Sequence, residues 1–135
     1  MWPTSDQVRR FVVLTGGEPL LQVDEALTRC LRELGFTIAV ETNGTCLPPT
    51  GVDWLCVSPK AGVKLIVESG QELKLVYPQT GLKPTDFEEL FFDNFYLQPM
   101  DGPFQASNTL KAIEYCKSNP RWSLSIQAHK TLGIR

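Results

Sequence analysis

The sequence is poor in the features that mark specialised classes. Its four cysteines, Cys30, Cys46, Cys56 and Cys116, include no CxxC or CxxxC pair, so their spacing proposes neither a zinc site nor a cluster. The single histidine, His129, offers no His-rich ligand set. No apolar run approaches the length of a membrane span. Met1-Trp2-Pro3-Thr4-Ser5 has neither the basic region nor the apolar core of a signal peptide. A cytoplasmic location is therefore expected, and a disulfide framework is not. Free thiols follow, and Cys30, Cys56 and Cys116 are expected to be buried, two on apolar helix faces and one in a strand. Charge is nearly balanced, 13 basic against 15 acidic residues for a net charge of −2. That excludes nucleic acid and a membrane surface as obligate partners. No repeat or low-complexity segment is present.

What is present is a 135-residue chain with 42% hydrophobic residues, enough for one domain spanning 1–135 with a real core. Its centre is Phe11-Val12-Val13-Leu14-Thr15-Gly16-Gly17-Glu18-Pro19. The apolar, β-branched start predicts a buried strand, and the glycines and proline predict a tight loop. Val23, Ala26, Leu27, Cys30, Leu31 and Leu34 then recur at helical spacing, with Gly35 as a C-terminal cap. Two glycines where a strand hands over to a helix let a ligand approach the backbone closely. An ordinary βα turn has the same composition.

Along the chain, strands are predicted at about 11–15, 37–42, 53–58, 72–77, 94–98 and 123–129. Helices are predicted at 20–34, 85–91 and 105–117, and loops replace helices at 44–51 and 58–62. Alternating strands and helices predict an α/β fold with a mostly parallel sheet. Five predicted strands end in a polar residue on one phase: Thr15, Glu41, Ser58, Gln98 and His129. On the inside of a curved parallel sheet they would converge on a cavity at the strands' carboxyl ends. One at a time, each is equally a strand-end residue meeting its loop. Lys60 reads as a solvated loop lysine, Asp86, Glu88 and Glu89 as the acidic first turn of an exposed helix, and Trp2, Trp54 and Trp122 as packing residues.

The longer string Leu14-Thr15-Gly16-Gly17-Glu18-Pro19-Leu20-Leu21 resembles the glycine-glycine-glutamate-proline loop of radical S-adenosylmethionine enzymes, and Glu41-Thr42-Asn43-Gly44 follows one strand later. Val57–Gly62, Glu72–Val76, Phe95-Tyr96-Leu97-Gln98-Pro99-Met100-Asp101-Gly102, Trp122–Lys130 and the ending Gly133-Ile134-Arg135 narrow the resemblance to the 7-carboxy-7-deazaguanine synthases. The resemblance implies an incomplete radical S-adenosylmethionine partial (β/α) barrel. It implies a lyase that contracts 6-carboxy-5,6,7,8-tetrahydropterin to 7-carboxy-7-deazaguanine with release of ammonia, in queuosine and deazapurine biosynthesis. It also implies a 4Fe-4S cluster, S-adenosylmethionine, Mg²⁺ and a homodimer. By resemblance, Gly17, Glu41, Ser58, Lys60 and Gln98 hold S-adenosylmethionine, while Thr15, His129 and the terminal carboxylate of Arg135 hold the pterin. The family's cluster cysteines lie ahead of the glycine loop, where this chain has ten residues before its first strand and no cysteine. The expectation is therefore the C-terminal two-thirds of such an enzyme, without cluster or Mg²⁺ ligands and inactive alone. A non-catalytic S-adenosylmethionine-binding or dimerising remnant, and another radical S-adenosylmethionine enzyme of the activating type, are the competing readings.

Overall fold

A computed structural model describes residues 10–128 and 133–134. Six parallel strands follow in spatial order β1 to β6: Phe11–Leu14, Thr37–Thr42, Trp54–Val57, Ser69–Tyr77, Phe91–Pro99 and Trp122–Leu124. The sheet does not close among the described residues, so the architecture is a partial barrel. Helix α1, Glu25–Glu33, joins β1 to β2, and α2, Gln105–Ser118, joins β5 to β6. No helix of the described residues is long and apolar enough to cross a membrane.

The two faces of the sheet differ because the side-chain period is two. One phase carries Ile38, Val40, Val57, Leu73, Leu75 and Leu97, all fully buried. These residues form one cluster with Trp122, Phe95 and Ala112, against which Leu31, Tyr115 and Cys116 of the helices pack. The opposite phase brings Glu41, Cys56 and Glu72 abreast on three adjacent strands. That face is left for a site.

The first predicted helix divides in two. Pro19–Leu21 forms a short 3-10 turn, because the Glu18 carboxylate takes the Leu20 N–H and Pro19 occupies the turn's first position. Asp24 then caps α1 through the Leu27 N–H at 2.8 Å. Beyond the Leu34 cap the chain turns at Gly35, with φ of 79°, and the Gly35 and Phe36 N–H groups return to the Arg32 and Leu31 carbonyls. Residues 85–91 also depart from expectation: Pro84–Phe87 is a single 3-10 turn, and a further turn over 88–90 leads into β5. Asp86 accepts from the Lys83 N–H, and Glu88 accepts from the indole of the buried Trp122. These acids therefore fix a turn and a core residue and do not line a helix. β6 is shorter than expected and stops at Leu124. Trp54 is partly exposed and bonds Glu72, while Trp2 lies outside the described residues.

Cys56 is buried as expected, and Cys116 is half-buried, but Cys30 is exposed. The periodic face that carries Cys30 is only partly covered, since Leu27 and Leu34 are exposed while Leu31 reaches the core. The buried residue of α1 is Thr28, which donates to the Thr50 carbonyl at 2.9 Å.

Gly44 is the most closely surrounded of the glycines. Its φ is 78°, and a Cβ there would stand 2.5 Å from Leu65 Cδ1 and 2.8 Å from Val57 Cγ1. Gly62 has a similar φ of 82° with open space around it. Gly44→Ala should therefore destabilise the fold by about 2–4 kcal/mol, combining strain with overpacking. Gly62→Ala should cost about 1 kcal/mol from strain alone. Denaturant midpoints of the two variants check this, and equal losses would refute the steric account.

Candidate functional site

The glycine loop after β1 is shaped by Glu18. Its carboxylate accepts from the Thr42 hydroxyl at 2.6 Å, the Asn43 N–H at 2.8 Å and the Leu20 N–H at 3.1 Å. Thr42 in turn accepts from the Gly44 N–H, and Asn43 accepts from the Thr45 N–H and hydroxyl. The Gly-Gly-Glu-Pro and Glu-Thr-Asn-Gly strings are thus one hydrogen-bonded unit. Glu18 faces its own loop and holds it against the end of β2.

At the carboxyl ends of the strands lies an open cavity of about 280 Å³. Thr15, Gly17, Glu41, Ser58, Lys60 and Gln98 all line it, so six residues singled out in the sequence meet at one place. His129 and Arg135 lie outside the described residues. Gln127 of the segment following β6 lines the cavity, and the Ser125 N–H keeps that segment on β5 through the Leu97 carbonyl.

Lys74 and Cys56 also line the cavity and were missed by the sequence reading. Lys74 sits between the fully buried Leu73 and Leu75, on the phase that faces the site. That alternation was the available signal. Its ammonium lies 3.1 Å from Glu41 Oε1, and the Thr15 hydroxyl donates to Glu41 Oε2 at 3.5 Å. Lys60 donates to the Ser58 hydroxyl at 3.2 Å. Beside this polar pocket, Phe11, Val13, Ala39 and Trp54 line an apolar one of about 160 Å³ that shares Glu41 and Cys56 with it.

Burial pushes the Cys56 thiol up to about 12, with the nearby Glu72 and Glu41 adding to the rise and Lys74 opposing it. The thiol therefore stays protonated and is no nucleophile near neutral pH. Burial by itself would lower the Lys74 ammonium, but the carboxylates beside it, Glu41 above all through its hydrogen bond, outweigh burial and the net direction is upward. The cavity thus presents two cations, Lys60 and Lys74, against the Glu41 carboxylate, together with hydroxyl and amide donors. Such a lining suits a polar ligand that carries an anionic group and hydroxyls. The four cysteines stand apart, in α1, in the loop after β2, in β3 and in α2. Among the described residues no three His, Cys, Asp or Glu side chains come together, so the thiols present do not fit a 4Fe-4S cluster.

No family model matches the sequence. The chain is 59% identical over 134 residues to the 7-carboxy-7-deazaguanine synthase of Bradyrhizobium diazoefficiens, covering 99% of this chain and 63% of that protein. It is 56% identical over 125 residues to that of Bordetella pertussis, covering 93% and 60%. The crystal structure of QueE from Escherichia coli superposes with a TM-score of 0.68 at 30% identity, over 87% of this chain and 56% of that one. The chain thus spans about 60% of the length of the curated relatives it matches.

The thiols should report this geometry in solution. With a disulfide reagent at pH 8, the exposed Cys30 should react first. In the native chain the buried Cys56, with its raised pKa, should react at least about a hundredfold more slowly than Cys30. Mass mapping of the modified residues checks this. Early labelling of Cys56 would place its strand at an accessible surface.

Proposed function

We propose that this chain, which over nearly its whole length is a relative of the 7-carboxy-7-deazaguanine synthases, binds S-adenosylmethionine in the cavity at the strand ends. The complete protein of which such a chain forms part contracts 6-carboxy-5,6,7,8-tetrahydropterin to 7-carboxy-7-deazaguanine and releases ammonia, a carbon–nitrogen lyase step towards queuosine and related deazapurines. The observation that carries this reading is the meeting of Thr15, Gly17, Glu41, Ser58, Lys60 and Gln98 around one cavity, although they come from four separate stretches of the chain.

Each group has chemistry suited to a part of the ligand. The loop at Gly17 brings bare backbone to the amino end of the methionine moiety. Lys60 and the Ser58 hydroxyl offer a cation and a donor for its carboxylate. Glu41 accepts from ribose hydroxyls, and the Gln98 amide can both donate and accept. Thr15, beside Glu41, gives a hydroxyl to the pterin side, with His129 and Arg135 assigned there as well. S-Adenosylmethionine supplies the radical chemistry when bound. The described residues do not fit the cluster that this chemistry requires, so the role argued for them is to bind and orient. A cytoplasmic homodimer is the assembly proposed for the complete protein.

That the chain alone is a binding module is favoured by one observation, the four cysteines scattered over separate elements. A 4Fe-4S cluster needs its thiolates together.

Gly17 gives a clean test, because a Cβ there meets nothing within 4 Å. Gly17→Val should leave stability within about 0.5 kcal/mol while weakening S-adenosylmethionine at least about tenfold. Glu41→Gln should weaken it as well. Calorimetry with the full chain measures both. Unchanged affinity in both variants, or no binding by the unsubstituted chain, would refute the assignment.

A further inference from the structure

Lys74 stands in the cavity with no part of the ligand assigned to it. It lies in the middle of a nine-residue strand, and its side chain is only 20% exposed. Holding a lysine there restricts a long flexible stem and removes much of its water. Its ammonium reaches over Cys56 of β3 to meet Glu41 of β2. The other nearby carboxylate, Glu72, accepts from the Trp54 indole at 2.8 Å. Glu41 is therefore the hydrogen-bonded partner of Lys74, and Thr15 meets the second oxygen of the same carboxylate.

A glutamate on an open sheet face has several rotamers, and its carboxylate would sample them. The Lys74 ammonium holds one oxygen at 3.1 Å, and the Thr15 hydroxyl stands 3.5 Å from the other, so Lys74 is the group that restricts the Glu41 carboxylate. We propose that Lys74 is a positioning residue, which clamps Glu41 so that the carboxylate lone pairs left free face the hydroxyls of a bound nucleoside. This rests on the S-adenosylmethionine reading of the cavity. The pair also makes Glu41 an oriented acceptor within a site whose net charge stays positive, which leaves Lys60 free for an anionic group. Ionised carboxylates held by a cation recognise hydroxyls through charge-assisted hydrogen bonds, and fixing their direction lowers the ordering cost of binding.

The test is a double-mutant cycle with the full chain, titrated with S-adenosylmethionine by calorimetry. Lys74→Met should weaken binding about tenfold, and Lys74→Arg should restore it to within about threefold. In the Glu41→Gln background, Lys74→Met should change affinity by less than about twofold, since a clamp has no role once its carboxylate is gone. Full affinity in Lys74→Met, or losses that multiply in the double variant, would overturn the proposal; multiplication would mean that Lys74 touches the ligand itself. A ligand-free arm follows the Lys74 amine by NMR titration. Glu41→Gln should lower its pKa, because removing an opposing carboxylate destabilises the ammonium. An unchanged titration would equally overturn the clamp. Absence of S-adenosylmethionine binding by the unsubstituted chain would instead sink the functional reading, with the NMR arm still deciding whether the clamp exists.

Discussion

Three donors converge on the carboxylate of Glu18, and the site depends on that convergence. The Leu20 N–H turns the chain after the glycines, while the Thr42 hydroxyl and the Asn43 N–H tie that turn to the end of β2. Hydrogen bonds to an ionised acceptor are about twice as strong as neutral ones. A glutamine would present an amide donor to at least one of these donors. The tie continues through Thr42 to the Gly44 N–H, and the Gly44 carbonyl accepts from the Ile66 and Val67 N–H groups. A run of local bonds thus links the loop after β1 to the long connection between β3 and β4. Glu18 itself is occupied with this work, which leaves Glu41 as the carboxylate that faces the cavity.

The same alternation that builds the core builds the site. In β4, Leu73 and Leu75 are fully buried on one side, and Glu72 and Lys74 stand on the other. In β2, Ile38 and Val40 are buried against the helix layer while Glu41 faces the cavity. Loops take the place of helices after β2 and β3, and they bring Asn43, Ser58 and Lys60 to the rim. The result is a sheet with an apolar face covered by α1 and α2 and a polar face open at the strands' carboxyl ends.

Much of this was legible in the residues. β2 falls on the predicted 37–42, and α2 departs from its prediction by a single residue at its end, because periodicity and punctuation agreed there. Convergence of the polar strand ends was legible from phase alone for Thr15, Glu41, Ser58 and Gln98. What failed were features set by tertiary partners. Helical spacing ran through Leu20–Glu25 unbroken, and only the bonds of Glu18 and Asp24 show why a turn precedes the helix. The apolar face of α1 suggested burial for Cys30, but periodicity says which residues share a face and not what covers it. Lys74 was hidden inside an alternating strand, where a polar residue reads as solvated until the sheet's curvature is known.

As proposed above, the strand-end cavity is a nucleoside site oriented by Glu41. The most direct measurement is a crystal structure of the chain grown with saturating S-adenosylhomocysteine. Density should fill the cavity, with the ribose hydroxyls on the Glu41 carboxylate, Lys74 still paired to it, and the amino-acid end lying between Gly17 and Lys60. A cavity empty at saturation, or the ligand seated elsewhere on the molecule, would contradict that assignment.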